Sequence, residues 1–270
     1  MPVRVGRAAS LLGERTKQRN IVAMLMKHVP GQFSVELGLD LQQRHPRDLF
    51  LWFLGSLLYG TRISGTIVRR THAEFVRRGL TTPEGLRQAG WDRLVEMLDA
   101  GGYVRYDFKT ATKLLEVMGS LLERYGGDLN QVHLAAKDKG DLQARLRGLG
   151  KGIGEVTVQI FLRELRDLWP KAQPELSPLA SLALDHLQLL DKVDRKGLDN
   201  QVHRLRRCWQ ANRVRSYVFQ DFESALVRLG RDYCRSGRWN QCPMHPFCPK
   251  GDDAVSPGDK QYPRTLRMTR

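Results

Sequence analysis

Apolar–polar alternation is missing from this chain: no period-2 stretch worth calling a strand stands out in its 270 residues, and the class predicted is all-α. Acidic side chains are scarce, with 29 Asp and Glu against 44 Lys and Arg, a net charge of +15 and a pI near 10.0. Such an excess repels itself, and a polyanionic partner is the usual reason for keeping it, a surplus held only for solubility being the plainer one. Cysteine is rare too. Four residues do not make a disulfide scaffold, and three of them, Cys234, Cys242 and Cys248, crowd one short segment, which favours a metal in a reducing compartment.

Long apolar runs are also lacking. The longest, Leu49 to Gly60 (LFLWFLGSLLYG), is about half of what spans a bilayer and reads as a buried helix, so no membrane span is expected. The first residues, MPVRVGRAAS, are basic without a hydrophobic signal core, which predicts no secretion. With 41% hydrophobic residues, there is ample core for one large or two modest globular domains.

What the chain does have is helical periodicity. Leu11, Leu12, Ile21, Val22 and Leu25 form the apolar face of a helix over about 9–25, stopped by Val29-Pro30-Gly31. Asp48 can cap a helix through Leu49, Trp52, Phe53, Leu57 and Leu58, apolar nearly all round and therefore central. Further helices are predicted over about 65–78, 83–89, 91–99 and 103–125, the last ending at Gly126-Gly127 where a C-cap belongs. Beyond a proline-rich connection, helical patterns run from Leu176, from Leu198 to Asn212 and from Val214 to Tyr233. The tail, 251–270, carries few apolar residues and reads as basic and disordered.

The stretch from Leu142 to Leu168, LQARLRGLGKGIGEVTVQIFLRELRDL, holds two helical patterns around a tight join punctuated by Gly148, Gly150, Gly152 and Gly154. Leu142, Leu146 and Leu149 lie before it; Val156, Ile160, Phe161, Leu165 and Leu168 follow. A helix starting near Gly154 would point its unpaired N–H groups and positive dipole end outward beside Lys151, an arrangement suited to phosphate. The plainer alternative is a glycine-rich turn between two core helices.

The order of segments from Asp48 to Cys248 resembles the endonuclease III-like DNA glycosylases, the helix-hairpin-helix superfamily of base-excision repair. Tyr59-Gly60-Thr61-Arg62 looks like the family's DNA-entering loop, Tyr106-Asp107-Phe108-Lys109-Thr110-Ala111 like the start of its next long helix, and 149–158 like its hairpin. Residues 176–189 look like the helix that normally carries a catalytic aspartate, and Leu229-Gly230-Arg231-Asp232-Tyr233-Cys234 like the approach to its iron-sulfur loop. The resemblance implies a DNA glycosylase fold of two lobes. A central helical barrel would cover about 48–189, and 1–47 with 190–250 would make the second lobe. It also implies that Thr61, Arg62, Gly150, Lys151, Gly152, Ile153, Gly154, Val156 and Thr157 meet double-stranded DNA, which members bend while extruding the target base.

Two departures bear on chemistry. The lysine that forms a Schiff base in bifunctional members is replaced by Val156, which removes that route to β-lyase activity. The aspartate aligns with Ser177, which carries no charge to stabilise an oxocarbenium-like centre. Glu175 and Asp185 are nearby carboxylates that could stand in; a capping or exposed role is the ordinary alternative for each. The family's Cys-x6-Cys-x2-Cys-x5-Cys loop also loses one inner cysteine while keeping Cys242-x5-Cys248. Cys208 or His245 could supply a fourth ligand, to a 4Fe-4S cluster as the resemblance implies, or to zinc as three cysteines and one histidine would suit. Arg231, Arg235 and Arg238 add charge suited to phosphate.

The expectation is therefore a monomeric, cytoplasmic DNA-repair protein, nucleoid-associated in a prokaryote. It would be either a DNA N-glycosylase without lysine-dependent AP-lyase activity or an inactive module that recognises damaged DNA. A third reading, a hairpin protein acting on RNA or bridging partners, draws only on the charge.

Overall fold

The computed structural model describes residues 3–190 and 198–250, with side chains from Gly13 to Leu190 and from Gln201 to Lys250. The expected tail at 251–270 and the side chains of Leu11 and Leu12 lie outside what is described. No strand occurs among the described residues, and the regular elements are helical. The chain divides into two compact units, Gly31–Glu175 and Met1–Pro30 with Leu176–Arg270. Helix α1 (Val3–His28) opens the second of these.

The unit Gly31–Glu175 runs α2 (Phe33–Glu36), α3 (Pro46–Tyr59), α4 (Gly65–Arg77), α5 (Pro83–Gly101), α6 (Asp107–Tyr125), α7 (Leu129–Ala135), α8 (Lys139–Arg147) and α9 (Glu155–Arg163). As its all-round apolar pattern predicts, α3 is the axis, with every residue from Leu49 to Leu58 buried. Three polar groups in and against this buried stretch are bonded. Trp52 Nε1 donates to the Phe161 carbonyl at 3.0 Å, Ser56 Oγ to that of Trp52 at 2.8 Å, and His72 Nε2 to that of Leu51 at 3.1 Å. Such satisfaction is what a buried polar atom requires.

Local chemistry sets the ends. Ser64 and Thr82 cap α4 and α5, accepting from Ile67 N at 3.3 Å and Gly85 N at 3.1 Å. The two short helices predicted over 83–99 are present, joined at Gly90 with φ 77° and ψ 171°. Helix α6 ends in a left-handed Gly126, with Gly127 N bonded to Leu121 O at 3.1 Å.

Three features of this unit differ from expectation. Helix α6 starts at Asp107, because Tyr103 turns inward and is fully buried. Helix α9 stops at Arg163 although apolar spacing continues to Leu168. The reason is tertiary: the Glu164 carboxylate accepts from Phe33 N at 2.8 Å and Ser34 N at 2.9 Å, and Arg166 reaches the Glu175 carbonyl at 3.4 Å. Helices α2 and α7 were not foreseen; Glu164 caps the first, and Asp128, accepting from Asn130 N at 2.8 Å, caps the second.

In the other unit, α1 buries Ile21, Val22, Leu25 and Met26 and packs on α12 (Phe219–Leu229). Helix α10 (Pro178–Leu187) packs on α12 as well, and α11 (Leu198–Ala211) stacks Trp209 on Phe222 with centroids 5.3 Å apart. The helix predicted over 214–233 begins only at Phe219 and passes at Gly230 into a π-helical turn, Gly230–Cys234. Single π turns are frequent at functional sites. This one delivers Cys234.

Candidate nucleic-acid interface and cysteine cavity

The loop after α3 and the start of α9 meet inside the unit Gly31–Glu175. Gly60 caps α3, and a Cβ placed there would strike Thr157 Oγ1 and Cβ. Only hydrogen fits between these segments. The hydroxyls of Thr61 and Tyr103 meet at 2.5 Å, and both reach the Leu58 carbonyl, at 2.9 and 3.3 Å. Burial pushes the Tyr103 phenol pKa up, while its bonds to Thr61 and Thr110 pull the other way. A neutral, fully buried tyrosine thus pins the loop that presents exposed Arg62.

The hairpin is tight for three separate reasons. Gly150 lies against Val117, where a Cβ would come within 2.7 Å of Cγ2. Gly152 has φ +81°, a conformation that costs a side-chain-bearing residue. Ile153 is buried and its amide closes a turn onto Gly150 O at 3.4 Å. Between them Lys151 donates its backbone N–H to Glu116 Oε1 at 2.9 Å and leaves its ammonium side chain exposed. That amide is occupied internally, so an outside anion has to use the next ones along.

Those belong to the first turn of α9. The first helical bond is Val158 N to Gly154 O at 3.2 Å, so the amides of Gly154, Glu155, Val156 and Thr157 have no acceptor within the helix. Gly154 has an ordinary φ of −84°, and a methyl group on its Cα would meet no atom within 4 Å. Neither backbone strain nor internal packing requires a glycine there; it is the N-cap of α9, a place where glycine is favoured and where it leaves the helix start open to solvent. Val156 beside it is 50% exposed. Lys113 and Glu116, which sequence reasoning did not single out, flank the turn; both lie on the face of α6 behind it, and burial lowers the Lys113 pKa.

The positions weighed for catalysis have definite structural occupations. Ser177 is the N-cap of α10, its hydroxyl accepting from Leu179 N at 3.3 Å. Asp185 is paired with Lys250 at 2.6 Å. Glu175 is exposed, with its carbonyl taken by Arg166.

Cys234, Cys242 and Cys248 line one cavity, together with His245, His186, Trp239 and Met244. The side chains line the space without closing on a point, and no metal-holding group of His, Cys, Asp or Glu is found among the described residues. Burial, then the neighbouring Cys242 and Cys248, push the Cys234 thiol up to about 12. Three thiols facing one hollow are a donor set that suits a thiolate-binding cation. Burial raises Cys242 also, but the amides of Met244 and His245 act to stabilise its anion. Cys208 stands apart from this lining. Its Sγ faces the Leu189 carbonyl at 3.9 Å and Asn212 Nδ2 at 3.8 Å. Arg231 pairs with Asp232 at 2.7 Å, Arg238 donates to the Asp232 carbonyl at 2.8 Å, and Arg235 is exposed.

Scanned against models of known protein families, the chain matches none, and no curated protein matches its sequence. What the fold defines is an all-helical protein. Among the described residues no helix is long and apolar enough to cross a membrane.

Proposed function

We propose that this is a helix-hairpin-helix protein that grips the phosphate backbone of double-stranded DNA, works in base-excision-type repair as its resemblance to endonuclease III-like glycosylases suggests, and holds a metal at Cys234, Cys242 and Cys248. The observation that carries the reading is Gly154: an unstrained glycine in open space at the exposed start of α9, three residues after Lys151, whose side chain is exposed. Backbone amides, a helix dipole and an ammonium together make a phosphate site. The net charge of +15 supplies the long-range attraction.

On this reading Thr61 and Arg62 lie beside the hairpin and touch the same duplex, their loop fixed by Tyr103. Base excision requires charge stabilisation at the sugar and activation of water. Val156 offers neither, and the Ser177 hydroxyl is spent on capping. An N-glycosylase here would have to use a carboxylate such as Glu175 and would release the base without cutting the strand. The capping role of Ser177 favours a second reading, a protein that senses damaged or distorted DNA without excising a base. Single-turnover assays on duplexes carrying a panel of lesions separate the two. Base release abolished by Glu175→Gln assigns the enzyme; tight binding with no release from any lesion assigns the sensor.

A further inference from the structure

The cavity of the cysteine loop has a wall that does not belong to the loop. His186, in the last turn of α10, lines it, is buried with only 8% of its surface exposed, and has an Nδ1 with no hydrogen-bond partner. Buried polar nitrogens nearly always have a partner, and one that lacks it asks for a ligand. Its ring is stacked on Trp239, centroids 5.1 Å apart and planes at 14°, so it is held rather than free to turn outward.

Two more contacts fasten this turn of α10 to the loop. Cys248 Sγ reaches the backbone carbonyl of His186 at 3.4 Å, and Asp185 pairs with Lys250 at 2.6 Å. The histidine is thus bracketed by one candidate ligand and by the loop's end. The other imidazole in the lining, His245, is only partly buried, so solvent can satisfy it. Cys208 has its sulfur directed to Leu189 and Asn212.

We infer that His186 is the fourth ligand of a metal centre whose other three ligands are Cys234, Cys242 and Cys248. Three thiolates and one imidazole suit tetrahedral zinc, and they also suit an iron-sulfur cluster with one histidine-ligated iron. The assignment rests on the metal centre proposed above. It adds that the loop is tied through the metal to α10, the helix capped by Ser177, so that metal loss would loosen both.

The test compares full-length wild type with His186→Phe, which keeps a ring on Trp239 but removes the nitrogen, and with His186→Cys, His245→Ala and Cys208→Ser. Each is purified anaerobically, reconstituted in parallel with iron plus sulfide and with zinc, and read by metal content, visible absorption and resistance to a chelator. Wild type should take up metal in one arm, brown in the first or colourless in the second. His186→Phe should lose it to chelator at about 100-fold lower concentration, the upper range for disturbing even an outer-shell partner. His186→Cys should restore retention, with an altered spectrum if the metal is iron-sulfur, and His245→Ala and Cys208→Ser should match wild type. Equal melting of metal-free wild type and His186→Phe shows that the substitution did not unfold the protein. Retention by His186→Phe equal to wild type, or loss in His245→Ala instead, overturns the ligand assignment while leaving the centre; a wild type that takes up neither metal overturns both.

Discussion

Gly60, the cap of α3, lies flush against Thr157 in the first turn of α9. This contact joins the two sequence segments with the clearest resemblance to DNA-contacting parts, the loop with Thr61 and Arg62 and the glycine hairpin. It predicts that Gly60→Ala lowers stability by about 1–3 kcal/mol, the usual cost of overpacking a tight site. Thr157→Ala in the same chain should recover part of the loss, because the obstructing Oγ1 is gone, and thermal melting of the two single variants and the double checks it. Additive effects would show that the two residues do not press on each other.

Acid should weaken the unit built on α3. His72 is buried and donates from Nε2 to the Leu51 carbonyl, and its pKa is lowered from 6.5 to about 4, chiefly by burial, with Arg47 adding to the effect. The unfolded chain therefore takes up this proton first as pH falls. Its contribution is complete above about pH 6.5 and is lost progressively down to about pH 4, roughly 3 kcal/mol over that window. His72→Gln should flatten the part of the stability curve between those values; an unchanged slope would show that another group carries it.

Position 156 bears on strand cleavage. Wild type should give no borohydride-trapped adduct with abasic DNA at Val156, which has no amine. Val156→Lys places one on the exposed first turn of α9 and should give an adduct if that turn reaches the sugar. An adduct with wild type that Lys113→Ala abolishes would place the nucleophile at Lys113, the partly desolvated amine beside Gly152.

Much of this arrangement is legible in the residues alone. The all-round apolar run from Leu49 to Leu58 leaves no face for solvent, so its burial follows from composition. Glycines at 90, 126 and 152 mark backbone that bends where it was expected to bend. Long-range bonds were not legible. Helix α2 has its cap in Glu164, 131 positions away in sequence, and the same bond ends α9 early. Helix α7 did carry a local signal, Asp128 followed by Leu129 and Val132, that could have found it. His186 carried none: a single histidine in an apolar helix becomes a candidate ligand only when the fold sets it in the wall with three cysteines.

The most direct test of the hairpin as a phosphate grip is duplex affinity measured across a range of salt for wild type, Gly154→Ala and Lys151→Ala. The account predicts that Gly154→Ala, whose methyl meets no atom within 4 Å of the chain, melts like wild type yet binds duplex DNA at least about tenfold more weakly, the equivalent of roughly 1.4 kcal/mol. Lys151→Ala should lower the slope of log K against log salt by about one unit, one phosphate contact fewer. Wild-type affinity and slope in both variants would contradict it and leave the hairpin as a turn between two core helices.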